Sequence, residues 1–129
     1  MKVLVLSNGK LEAKEINNEL EELQKIVGGY IEIPYLSDVF NENEIDVIIN
    51  DEGKFIDGLK PEIAVIYGAT NRVLDIVYGN CIFASHNDEG DTVGLTDEQM
   101  AIVMEELKME VVLTYEDGNK KAITKALII

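Results

Sequence analysis

The stretch LQKIVGGYIEIPYLSDVFNENEIDVIINDEG, residues 23–53, decides the fold of this chain. It holds the end of a helix, a glycine pair, a strand, an acidic link, a second strand and a turn. Gly28 falls where a left-handed residue stops a helix, and Gly29 frees the chain to change direction. Neither G-x-G-x-x-G nor G-x-x-x-x-G-K-[ST] occurs in the chain, so a helix stop accounts for the pair better than a phosphate loop does. From Tyr30 to Tyr35, apolar Ile31, Ile33 and Tyr35 alternate with Tyr30, Glu32 and Pro34, the period of a strand with one apolar face. Pro34 cannot donate to a ladder, which places it at an edge or at the strand's end. Ser37 to Glu44 is a polar link and Ile45 to Ile49 a strand. Asn50-Asp51-Glu52-Gly53 is then a turn, with Gly53 the natural residue for positive φ.

Working outward, Lys2 to Leu6 predicts a first strand rather than a signal peptide, because the apolar run is short and no small-residue cleavage site follows. Asn8-Gly9 turns it into a hairpin with Leu11 to Ile16. Asn18 and Glu21 fit a capping box that opens a helix over 18–27, with Leu20, Leu23 and Val27 as its apolar stripe. Beyond the central stretch, Lys54 to Ile56 is expected to pair back on the preceding strand, and Ile63 to Tyr67 is an apolar run. Val73 to Tyr78 and Cys81 to Ser85 bracket Gly79-Asn80 as a hairpin turn or bulge. Asn87-Asp88-Glu89-Gly90 echoes residues 50–53, which two hairpins sharing one good turn explain. Thr96 and Gln99 form a clear capping box for a helix over 97–108, with Met100, Val103, Met104 and Leu107 on one face. Val111 to Tyr115 and Lys120 to Leu127 flank Glu116-Asp117-Gly118-Asn119 as a closing hairpin. The expected fold is α+β: a mainly antiparallel β-sheet, two amphipathic helices (18–27 and 97–108) and a C-terminal β-hairpin, in a single domain over residues 1–129.

Composition narrows the function classes. The 129 residues are 47% hydrophobic and 28% charged, enough for a packed core. The apolar runs fall far short of the roughly 20 residues of a membrane span. Asp and Glu number 25 against 11 Lys and Arg, giving a net charge of −14. That surface repels phosphate backbones and anionic lipids, which speaks against direct nucleic-acid or membrane binding. Cys81 is the only cysteine, which fits a reducing, cytoplasmic setting.

Little catalytic chemistry is signalled. One histidine and one cysteine exclude a Cys/His zinc site and a two-histidine metal helix. His86 lies beside a turn with no signalled partner, and Cys81 in an apolar strand is a small buried hydrophobe. No G-x-S-x-G elbow occurs. An EF-hand centred on Gly53 would begin at Ile48, and one centred on Gly90 at Ser85; neither supplies the first acidic ligand. No metal, cofactor or catalytic residue is therefore expected. Glu32, mid-strand between isoleucines, is either a wet strand charge or part of a polar pocket with Asn50. Tyr30, Glu32 and Asn50 are the candidate binding residues.

The order L-Q-x-x-V-G-G-Y-I-E (Leu23 to Glu32), N-D-E-G-K (Asn50 to Lys54), G-L (Gly58-Leu59), D-I-V-Y-G-N (Asp75 to Asn80) and G-L-T-D-E-Q (Gly94 to Gln99) resembles domain-of-unknown-function family 3846. The resemblance covers about residues 2–105. Residues 60–72 depart from the family pattern, and the hairpin at about 110–128 looks like an addition. The family carries no activity or catalytic residues over to this chain. It implies a phage- or mobile-element setting in Gram-positive bacteria.

The leading expectation is a small acidic accessory protein that is not an enzyme and binds a protein partner. One alternative is an acidic DNA mimic that inhibits a host DNA-binding or defence enzyme. Another is a small-molecule, nucleotide-binding protein with its pocket at Tyr30, Glu32 and Asn50.

Overall fold

Two β-sheets face each other across one apolar layer in the computed structural model, which describes residues 1–116 and 118–129. In chain order the first half runs β1 (Lys2–Ser7), β2 (Lys10–Glu15), α1 (Leu20–Val27), β3 (Ile31–Glu32), α2 (Asp38–Glu42) and β4 (Ile45–Asn50). A 3-10 turn, Gly53–Phe55, leads to β5 (Pro61–Tyr67), β6 (Arg72–Tyr78), β7 (Cys81–His86) and β8 (Thr92–Val93). The chain ends with α3 (Asp97–Glu106), β9 (Leu107–Glu116) and β10 (Asn119–Ile128). One sheet has the order β2-β1-β7-β4-β3 with β8 also paired to β7, and the other β6-β5-β10-β9. Every pairing is antiparallel except β5 with β10. The α+β architecture with two longer helices and a C-terminal hairpin is as the sequence predicts.

The shared layer is built by strand alternation. Leu4, Leu6, Val47 and Phe83 point from the first sheet, and Ile63, Val65, Val77 and Leu127 from the second. Phe40 of α2 meets Phe83 edge-to-face, with ring centroids 6.0 Å apart, an arrangement favoured by the ring quadrupoles. The residues alternating with these on the first sheet, Val3, Val5, Ile48 and Ile82, are covered by Leu23 and Val27 of α1.

Local signals hold where they are self-contained. Asn8 and Gly9 take φ of 53° and 77° in the β1–β2 turn, as a type I′ hairpin requires. Gly28 stops α1 at φ 83°, and Gly28 and Gly29 both donate to the Gln24 carbonyl at 2.8 and 3.0 Å. The Thr96–Gln99 capping box is complete.

Several expectations are corrected. Helix α1 starts at Leu20 with Glu19 as its N-cap and no side-chain cap, which leaves Asn18 one residue too early, and the Asn18 amide donates to Thr92 O at 2.8 Å. Leu20 is exposed, and so is Met104, so each helical stripe is narrower than predicted. The strand expected over 30–35 is paired only at Ile31–Glu32, ahead of Pro34. The polar link contains α2, capped by Ser37 Oγ accepting from Phe40 N at 3.1 Å. Lys54 and Phe55 lie in a 3-10 turn that Ile56 ends, rather than in a strand, and Gly53 is not among the positive-φ residues. Its small size is needed instead, since a Cβ there would lie 2.9 Å from Tyr78 O. Helix α3 ends at Glu106, and Leu107 already belongs to β9. Of the predicted closing turn, Asp117 lies outside the described residues, while Gly118 has φ 78°.

The largest correction concerns Gly79-Asn80. Strands β6 and β7 flank it but lie in different sheets, so the link is a crossing and not a hairpin turn. Gly79 N donates to Lys60 O at 2.8 Å, and the Asn80 amide donates to Ile26 O at 3.1 Å, which direct the chain across. Two apolar runs joined by two residues are compatible with either outcome, because nothing local names a strand's partner.

Candidate functional site

The β3–β4 pairing brings the three predicted binding residues together, with Ile31 opposite Asn50 and Glu32 opposite Ile49. Their environments differ sharply. Tyr30 is 73% exposed. Glu32 is exposed too and borders a hollow of about 130 Å³ with Asn50, Asp51, Lys54 and Asp75. Asn50 is buried, its amide donating to Val27 O at 3.2 Å and its oxygen accepting from Glu52 N at 2.9 Å. Its polar groups thus bind α1 and the following turn, whereas Tyr30 and Glu32 face outward. At about 130 Å³ the hollow is below the roughly 300–1,000 Å³ usual for small-molecule sites, and its carboxylates oppose a phosphate.

After β3 the chain runs as a ridge. Pro34, Tyr35, Leu36 and Ser37 separate that hollow from one of about 140 Å³ on the Phe40 side and one of about 410 Å³ toward Glu106 and Ile129. Tyr35 is 64% exposed and Phe55, across the first hollow, 84%. Ile33 and Val39 are exposed on the same segment. The Tyr35 hydroxyl donates to Asp38 Oδ1, and that bond raises the phenol's pKa above its ordinary value. Sequence reasoning singled out Tyr30 here but missed Tyr35 and Phe55. Tyr35 read as one residue of an alternating strand and Phe55 as part of a returning one, and only the breakdown of both strands exposes them.

The sequence motifs meet in one joint at the end of α1. A Cβ on Gly29 would come 2.9 Å from Asn50 Nδ2, and one on Gly53 would meet Tyr78 O. Asn50 and Asn80 hold the adjacent carbonyls of Val27 and Ile26, and Lys54 pairs with Asp75. V-G-G-Y-I-E, N-D-E-G-K and D-I-V-Y-G-N are therefore one packing unit. Residues 1–108 match the family model "Domain of unknown function (DUF3846)". The chain belongs to that family. No curated protein and no solved structure matches it. In this DUF3846 member the match stops just inside β9, so β10 lies wholly beyond it.

The two remaining nucleophile or base candidates are placed differently from each other. His86 is not partnerless: its Nδ1 lies 3.0 Å from Asp46 Oδ2 on the neighbouring strand. Cys81 is fully buried, and burial, followed by the charge of Glu62, pushes its thiol's pKa well above the ordinary value. Because the thiolate is the reactive form, Cys81 is expected to stay unmodified by Ellman's reagent at pH 8 in the folded protein. It should react fully in denaturant, and rapid release of one equivalent from the native chain would contradict this. Among the described residues no group of three metal-ligating side chains forms, and no helix is long and apolar enough to cross a membrane.

Proposed function

We propose that this DUF3846 protein acts without chemistry of its own, by binding a protein partner through Tyr30 ahead of β3, the ridge after β3 and the facing Phe55. The observation that supports this is the exposure of Tyr30, Tyr35 and Phe55, at 73, 64 and 84%. Tyr and Phe are enriched at protein interfaces, and exposed aromatic side chains bury large area with few rotors to freeze. Glu32, Asp38, Asp51 and Glu52 lie among them in sequence, so the partner surface would be apolar at its centre and basic at its rim. The setting we propose is the cytoplasm, in a phage or mobile element of Gram-positive bacteria; it rests on the family resemblance and the single cysteine.

The test is a pull-down from the host lysate with wild-type bait and with the Tyr30→Ser, Phe55→Ser double variant. Both side chains are exposed, so stability should change by less than about 1 kcal/mol. A partner enriched by wild type should fall about tenfold or more with the variant, the loss of one hot-spot residue. Equal recovery on both baits, or none on wild type, would overturn the reading. The net charge of −14 favours a second reading, an acidic mimic that inhibits a DNA-binding enzyme. Complex formation would then weaken steeply between low and high salt, and the double variant would bind as wild type does.

A further inference from the structure

The β1–β2 turn reaches from the first sheet to the second. Gly9 N donates to Glu62 Oε2 at 3.0 Å, and a Cβ on Gly9 would lie 3.0 Å from Thr124 Oγ1. Beside this contact lies a cavity of about 430 Å³, walled by Asn8, Gly58, Lys60, Glu62, Lys121 and Thr124. A second lobe of about 360 Å³ shares Asn8, Gly58, Lys60 and Glu62 and extends to Lys25 at the end of α1.

Glu62 is only 4% exposed. Burying a carboxylate costs several kcal/mol unless its oxygens are satisfied. Gly9 satisfies Oε2, while Oε1 accepts no hydrogen bond and Glu62 joins no ion pair among the described residues. The walls are also unusual in charge. Among the described residues, Lys25 and Lys60 line the two lobes and Glu62 is the one acid on their walls, in a chain where acids outnumber bases 25 to 11. A purely cationic ligand would meet the lysines, and a purely anionic one would meet Glu62. A molecule carrying both charges suits the cavity.

We propose that this cavity binds a zwitterionic small molecule of the amino-acid class, its ammonium donating to Glu62 Oε1 and its carboxylate meeting Lys60. The site is separate from the aromatic ridge and does not depend on the protein partner. Isothermal titration of the full chain with each of the twenty common free amino acids tests it, with ethylamine and acetate as single-charge controls. At least one amino acid should bind saturably at one per chain, and neither control should. Glu62→Gln keeps an acceptor for Gly9 N but removes the charge, and affinity should fall about tenfold or more, as for loss of a charge-assisted hydrogen bond. Should Glu62→Gln fail to fold, Lys60→Met carries the test, since Lys60 is exposed; it should weaken binding about fivefold. Absence of saturable heat from all twenty would overturn the proposal. So would controls that bind as well as the amino acids, or an affinity unchanged in Lys60→Met.

Discussion

A chain ending at residue 108 is expected to lose cooperative folding, although that is where the family match ends. Strand β10 is no appendage: it lies between β5 and β9, inside its sheet. Ile123, Ala126 and Leu127 are fully buried, and Leu127 belongs to the layer between the sheets. Each large side chain contributes about 1.5–3 kcal/mol by burial. Without the strand, β5 also loses its parallel ladder from Ile63 to Ile66, and β9 loses its only partner. The sum is comparable with the whole stability of a domain this size, about 5–15 kcal/mol. Far-UV circular dichroism of a 1–108 fragment should show no sigmoidal urea or thermal transition. A cooperative melt within about 5 °C of the full chain, the shift expected for roughly 1 kcal/mol, would contradict the assignment of β10 as structural.

The second large effect is expected at Asn50. Replacing it by Ala leaves the Val27 carbonyl and the Glu52 amide without their partners, each costing about 1–3 kcal/mol where water cannot replace it. It also opens a gap beneath Gly29, whose Cβ position already lies 2.9 Å from the amide. A loss of about 3 kcal/mol, or about 10 °C in Tm, is expected. Glu32→Ala, one residue pair away but exposed, should move stability by under about 0.5 kcal/mol. Measuring both by thermal denaturation separates a joint residue from a surface residue. A small loss at Asn50 would mean that its two hydrogen bonds are dispensable.

What was legible in the sequence follows the range of the interaction that decides it. Asn8-Gly9, the Gly28 stop and the Thr96–Gln99 box are decided within four or five residues and were readable. Asn18 also looked like a cap, yet its amide prefers the Thr92 carbonyl, 74 residues away. Locally the Gly79-Asn80 link reads as a hairpin turn or a bulge, while the pairing of β7 with both β1 and β4 is decided by distant strands. Of the candidate site, Tyr30 and Glu32 were found as outward residues of a short strand, and Asn50 as a polar residue needing an explanation. Glu62 was missed because an acid at the head of an apolar run carries no pattern; only the Gly9 turn folding over it makes it distinctive.

The parallel pairing of β5 with β10 also sets the order in which this molecule can be completed during synthesis. Ile63 leaves the ribosome more than sixty residues before its partner Lys125, so β5 and β6 must wait as a two-stranded ribbon with the β5 edge bare. Closing so long a loop is entropically costly and slow, and a bare apolar edge is where chains adhere to one another. Yield of native protein should therefore depend on how fast β10 emerges and docks, more than on how readily the earlier hairpins form.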